Sequence, residues 1–267
     1  MPILSREYGG NEMTLITSKY DEALARSAVY EFLSLAFLYP EEEVQALLVD
    51  GARLLGDTNA EALTPEVQHF LGEISRLMAA LGPKGFEDEY VEVFGHTISN
   101  DCPPYESEYD QAHVFQKTGV LSDLSSFYGA FGVMPDPELK ERLDHLSVEL
   151  EFMQVLTAKE AYALMHSHGE DKVLLCRRAQ EGFLVYHLAH WAKAFADRLY
   201  KKAGPNSVYA PLAGLLDSYM GMELKRFGLD AVPDQPVRIT SPEQEDNECD
   251  AMATPPRHGI GTIPEAC

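Results

Sequence analysis

The sequence predicts an all-α fold, a single globular bundle of eight or nine helices, on three observations. Apolar residues recur every three or four positions through most of the chain up to Phe227. Proline, glycine and acid clusters divide these periodic stretches into helix-sized lengths. Nowhere does a run of alternating β-branched residues mark a strand. The expected organisation is a flexible N-terminus over 1–17, a helical domain over 18–229 and a disordered acidic tail over 230–267.

Ser18 is placed to cap a helix to about Tyr39, with Tyr20, Leu24, Ala28, Phe32, Leu35 and Ala36 on one face. Pro40 ends it. Glu41-Glu42-Glu43 then bring negative charge to the first turn of a second helix, through Leu55. Thr64-Pro65-Glu66 combine a cap, a first-turn proline and an acid; the helix they open carries Val67, Leu71, Ile74 and Met78 inward until Gly82-Pro83. A short helix over Phe86–Phe94 follows. Asp101 to Tyr109 is the exception, because Pro103 and Pro104 fix two φ angles, remove two donors and push the residues before them towards extended backbone. Beyond this loop, Leu121–Phe131 reads as helix, then a long one opens at Pro137-Glu138 and runs to His168-Gly169. Another spans Glu170–Lys202 with Val173, Leu174, Phe183 and Trp191 inward, and the last spans Ser207–Phe227.

Composition narrows the function. With 43 Asp and Glu against 21 Lys and Arg, the net charge of −22 argues against nucleic acid and anionic membranes and fits a basic partner. The four cysteines form no C-x-x-C pair, so zinc-ribbon, iron–sulfur and thioredoxin spacings are missing. Met1 to Gly10 lacks the apolar run of a signal peptide, and no stretch reaches the roughly 20 apolar residues of a membrane span. The reading is a cytoplasmic protein with free thiols. No phosphate-binding loop or nucleophile elbow is present.

Two stretches carry candidate chemistry. The stiff Pro-Pro loop displays Tyr105, Glu106, Glu108 and Tyr109 between helices, where binding groups tend to sit. The second, Asp144 to Met153, sets His145 and Glu149 four residues apart on a helix whose Leu146, Leu150 and Met153 face inward. Carboxylates accept two parallel hydrogen bonds from a guanidinium, so Glu106, Asp144 and Glu149 suit arginine recognition. A competing reading is a helical metal or cofactor protein using His145, Glu149, His187 and His190. Against it, no Glu-x-x-His pair repeats on two helices.

Glu89-Tyr90 with Val93-Phe94, then Pro103 to Tyr109, then Asp144-His145-Leu146 with Glu149 to Met153 together resemble the TorD/DmsD/NarJ family of redox-enzyme maturation chaperones, over Tyr20 to Phe227. The resemblance implies a cytoplasmic, non-enzymatic helical protein with no cofactor of its own. Such a protein binds the twin-arginine signal peptide of a molybdoenzyme catalytic subunit and holds that subunit until its molybdenum cofactor is inserted. Molybdenum cofactor biosynthesis proteins are further implied partners, and a monomer or homodimer is expected. The family's functional motifs fall on Pro104, Tyr105 and Glu106 and on Asp144 and His145. Where the family often has proline before the Asp-His pair, this chain has Leu143, which predicts an unbroken helix there. The expected mechanism is an acidic groove whose carboxylates take the arginines and whose Phe94, Tyr105 and Tyr109 take the apolar segment.

Overall fold

The computed structural model describes residues 10–56, 63–95, 101–109, 114–133 and 141–231. Eight α-helices occur among them: α1 (Gly10–Ala36), α2 (Glu42–Gly56), α3 (Pro65–Phe94), α4 (Val114–Ala130), α5 (Leu146–Met165), α6 (Glu170–Phe183), α7 (Ala189–Ala203) and α8 (Tyr209–Arg226). The described residues contain no strand, only an isolated bridge between Tyr105 and His145. The fold is the all-α bundle expected. Most of the proposed acidic tail lies outside the described residues.

The helix ends follow local chemistry. Thr64 caps α3, its hydroxyl accepting from the Val67 amide at 3.3 Å. Gly82 has φ 66° and ψ 177°, outside the helical range, so α3 consists of two helical segments that meet at a kink at Gly82-Pro83, as expected. Glu89 lies beyond that kink and reaches across to α8, accepting from the Val208 amide at 2.9 Å and the Ser207 hydroxyl at 2.6 Å. One acid of α3 thereby adds to the local cap of α8, where the Ser207 hydroxyl accepts from the Tyr209 amide at 3.1 Å. Where α3 and α8 meet, Gly214 leaves room for the Phe70 ring, whose atoms would come within 2.5 Å of a Cβ.

Three expectations need correction. α1 begins at Gly10 rather than Ser18. The helix over 170–202 is interrupted by a π-helical turn at Leu184–Leu188; the apolar period runs through such a turn and cannot reveal one extra residue. Leu174 is 47% exposed instead of buried, because α6 turns only Cys176, Ala179, Gln180 and Phe183 fully inward.

α1 lies along α5, α7 along α8, α2 along α3 and α5 along α6. At the centre of this packing sits a charged residue. Arg26 of α1, 2% exposed, donates to both oxygens of Glu223 on α8 at 2.9 and 2.6 Å, to Glu160 on α5 at 3.2 Å and to Gln180 on α6 at 2.6 Å. Tyr30 also donates to Glu223 at 3.0 Å. Such a network specifies how four helices meet, and removing one member strands the rest. Arg26→Ala should lower stability by roughly 3–5 kcal/mol, the cost of leaving buried carboxylates unpaired. A urea unfolding midpoint matching the parent would contradict this.

Candidate functional site

The Pro-Pro loop and the Asp-His turn are joined backbone to backbone. The Glu106 amide donates to the Asp144 carbonyl and the Leu146 amide to the Pro104 carbonyl, both at 2.9 Å. Pro103 and Pro104 offer no amide donors, and the loop pairs with the turn through the Pro104 carbonyl and the Glu106 amide. Residues Glu106–Glu108 then close a single 3₁₀ turn, and the Ser107 amide donates to the Asp144 carboxylate at 3.3 Å.

The helix predicted to run unbroken through Leu143 starts only at Leu146, and the reason is visible. His145 has extended backbone, φ −75° and ψ 138°, and its Nδ1 accepts from the Ser147 amide at 3.2 Å, making the imidazole the helix cap. The Tyr128 hydroxyl holds the Leu143 carbonyl at 2.9 Å. Nothing in the apolar spacing signals a histidine cap, whereas Asn, Asp, Ser or Thr would. The Asp-His pair is therefore presented on a turn. The opening of this helix expected at Pro137-Glu138 lies outside the described residues.

The carboxylates divide into two groups. Asp144 is fully buried yet holds a guanidinium: Arg142 Nε donates to Oδ1 at 2.9 Å and Nη2 to Oδ2 at 2.7 Å. The same Nη2 lies 2.6 Å from the Ser107 hydroxyl, Nη1 lies 3.7 Å from Glu108, and the guanidinium carbon sits 4.6 Å over the Tyr105 ring. A bidentate carboxylate, a hydroxyl, a second acid and an aromatic face make a complete receptor for arginine. Its occupant is the chain's own Arg142, whose side chain remains 33% exposed. Sequence reasoning missed Arg142, although its place two residues before Asp144 is a usable signal for a local ion pair.

Glu106 and Glu149 belong to the interior rather than to an open groove. Both Glu106 oxygens lie 3.2 Å from His187 Nδ1, and the Trp191 indole donates to Glu149 at 3.1 Å. His187 stands in the π-helical turn, which sets it facing the loop while His190 is exposed. The metal reading fails to find its ligands together: no group of three or more His, Cys, Asp or Glu placed to hold a metal occurs among the described residues. Phe94 is likewise core, 5.3 Å from the Tyr209 ring, and not a groove wall. Tyr109 is half-buried between Trp191 at 5.2 Å and the Arg198 guanidinium at 4.6 Å. Tyr105 is half-buried as well, its hydroxyl donating to Glu141 at 3.1 Å.

Burial decides the charge of this interior. Burial first, and Arg142 second, hold His145 down at about 3, so the imidazole is neutral and Nε2 carries the proton. Burial, then the neighbouring Glu106 carboxylate, pushes Glu149 well above the ordinary carboxyl range. A protonated Glu149 avoids two adjacent buried negative charges. Unfolded His145 gains its proton below about 6.5 while the folded one waits until about 3, so this residue lowers stability as pH falls through that window. His145→Asn keeps a capping acceptor and should flatten that acid limb, by up to about 1.4 kcal/mol per pH unit. Glu149 has the opposite sign, its contribution being lost as pH rises above 4.5 through its raised folded value. Glu149→Gln should equal or exceed the parent in stability at alkaline pH. Urea midpoints across pH check both, and parallel pH curves for parent and variants would contradict them.

The family described as nitrate reductase delta subunit matches residues 60–197. The perchlorate reductase assembly chaperone protein of Dechloromonas aromatica is 33% identical over 181 residues, covering 66% of this chain and 78% of its own. The chlorate reductase assembly chaperone protein of Ideonella dechloratans is 31% identical over 140 residues, covering 51% and 69%. The chaperone protein TorD of Vibrio cholerae is 27% identical over 183 residues, covering 65% and 79%. Both motif stretches fall inside the matched span, and the chain belongs to the nitrate reductase delta subunit family, the TorD/NarJ-type chaperones of redox-enzyme maturation.

Proposed function

We propose that this chain is a non-catalytic chaperone that binds the twin-arginine leader of a reductase catalytic subunit and retains it in the cytoplasm for molybdenum cofactor insertion. One observation carries the reading: Asp144, Ser107, Glu108 and Tyr105 form a guanidinium receptor at a partly open surface, filled by Arg142. A leader arginine that displaces Arg142 gains the same bidentate pairing. Asp144 is thus the arginine acceptor of the three carboxylates read from sequence. Glu106, Glu149 and His145 are positioning residues that hold the loop and turn together from inside. Relatives named for perchlorate and chlorate reductases favour a reductase of that general kind as the client.

The acidic chain draws a basic leader in and makes its binding sensitive to salt. Replacing the leader's arginines by lysines should weaken binding, because an ammonium cannot make the planar two-point contact. Calorimetry with the full chain and a synthetic twin-arginine leader tests the receptor. Asp144→Asn should weaken binding by about 1.5–3 kcal/mol, the range for hydrogen bonds to charged groups. Arg142→Gln should strengthen it by about tenfold, or ~1.4 kcal/mol, by vacating the receptor. A folded Asp144→Asn variant with parental affinity, or weaker binding by Arg142→Gln, would overturn the assignment.

A further inference from the structure

On another part of the molecule, an apolar groove of about 1030 Å³ runs between the end of α4, α5 and α6. Its walls include Phe131, Val155, Ala158, Tyr162 and Leu175, with Cys176 among the lining residues. Tyr162 is 54% exposed and Leu175 52%, with Leu174 and Met165 also exposed nearby in sequence. Tyr162 of α5 and Leu175 of α6 thus leave large apolar side chains in water on the wall of the same groove. The backbone maintains this wall: Ser167 takes φ 52°, an uncommon conformation for a residue other than glycine, and the His166 and His168 rings come within 4.2 and 5.3 Å of Tyr162.

The charge of the groove is opposite to that of the protein. Its charged lining groups are Lys159 and Lys172, joined by the ionisable His168, and no carboxylate among the described residues lines it. This occurs in a chain with 43 acids against 21 bases. A concave apolar floor with a cationic rim fits a helix roughly 10–12 Å across, apolar on one face and acidic along its flanks. An anionic bilayer offers the same mixture of charge and apolar material. However, it would bring the remainder of a −22 chain against a negative surface, and a recessed groove does not reach into it.

We propose that the α4–α5–α6 groove is a second docking surface, for an acidic amphipathic helix of a partner protein, separate from the arginine receptor at Asp144. The two surfaces select opposite charges, so a basic leader and an acidic helix need not compete.

The test uses the full chain and three probes: a fluorescent 18-residue designed helix with leucines at i, i+3, i+4 and i+7 and glutamates on its flanks, its lysine-for-glutamate twin, and phosphatidylglycerol-containing vesicles. Anisotropy should give saturable binding of the glutamate helix, at least tenfold tighter than the lysine twin. Leu175→Glu, at an exposed position that folding does not depend on, should reduce that binding at least tenfold. The pair Lys159→Glu with Lys172→Glu should reverse the preference between the twins while leaving twin-arginine leader affinity unchanged. Lack of binding, equal binding of the twins, indifference to Leu175→Glu, or sedimentation with vesicles in place of peptide binding would each overturn the proposal.

Discussion

Two backbone hydrogen bonds, from Glu106 to Asp144 and from Leu146 to Pro104, hold the candidate site together. They join segments far apart in the chain, and every side-chain arrangement at the site presupposes them. With the loop and turn in register, Asp144 reaches both the Ser107 amide and a guanidinium, Tyr105 lies beside His145, and Glu106 is carried inward to His187. Without them, Asp144 and Glu106 would be two solvated acids with no shared geometry. The proline pair contributes stiffness and the Pro104 carbonyl that accepts from Leu146.

Beneath this junction the protein keeps acids where acids are costly. Glu106, Asp144 and Glu149 are all nearly or fully buried within one region. The cost is managed in three ways: Asp144 is paired with Arg142, Glu106 with His187, and the Glu149 carboxyl is pushed well above its ordinary range by burial and Glu106. The same logic appears on a larger scale at Arg26, whose pairing with Glu223 and Glu160 ties four helices together. The helix junction and the candidate site therefore draw on one physical device, a desolvated carboxylate whose partner is specified by geometry. Rigid support of this kind favours recognition, because little ordering remains to be done when a ligand arrives.

Much of the architecture was legible in the sequence, because helical period, Thr64-Pro65 and the Gly-Pro stops are strong local signals. The meeting of the Pro-Pro loop and the Asp-His turn was legible only through resemblance, since no local rule pairs residue 105 with residue 145. What remained hidden had a common cause. The histidine cap at His145, the π-helical turn around His187 and the occupation of Asp144 by Arg142 are tertiary choices that override or ignore local preference. The side reached by each acid was equally illegible: Glu106, Glu108 and Glu149 look alike in a string of letters. Only packing separates the pair held inside by His187 and Trp191 from the surface acid beside Lys117.

In the function we propose, the loop and turn act as one receptor for a partner's arginine. Hydrogen–deuterium exchange of the full chain, with a twin-arginine leader and with its twin-lysine counterpart, addresses it directly. Slowed exchange at the amides of residues 105–109 and 142–146 together, with the arginine leader and not with the lysine one, is the expected result. Protection confined to one segment, located elsewhere, or equal for both leaders would contradict a shared arginine receptor.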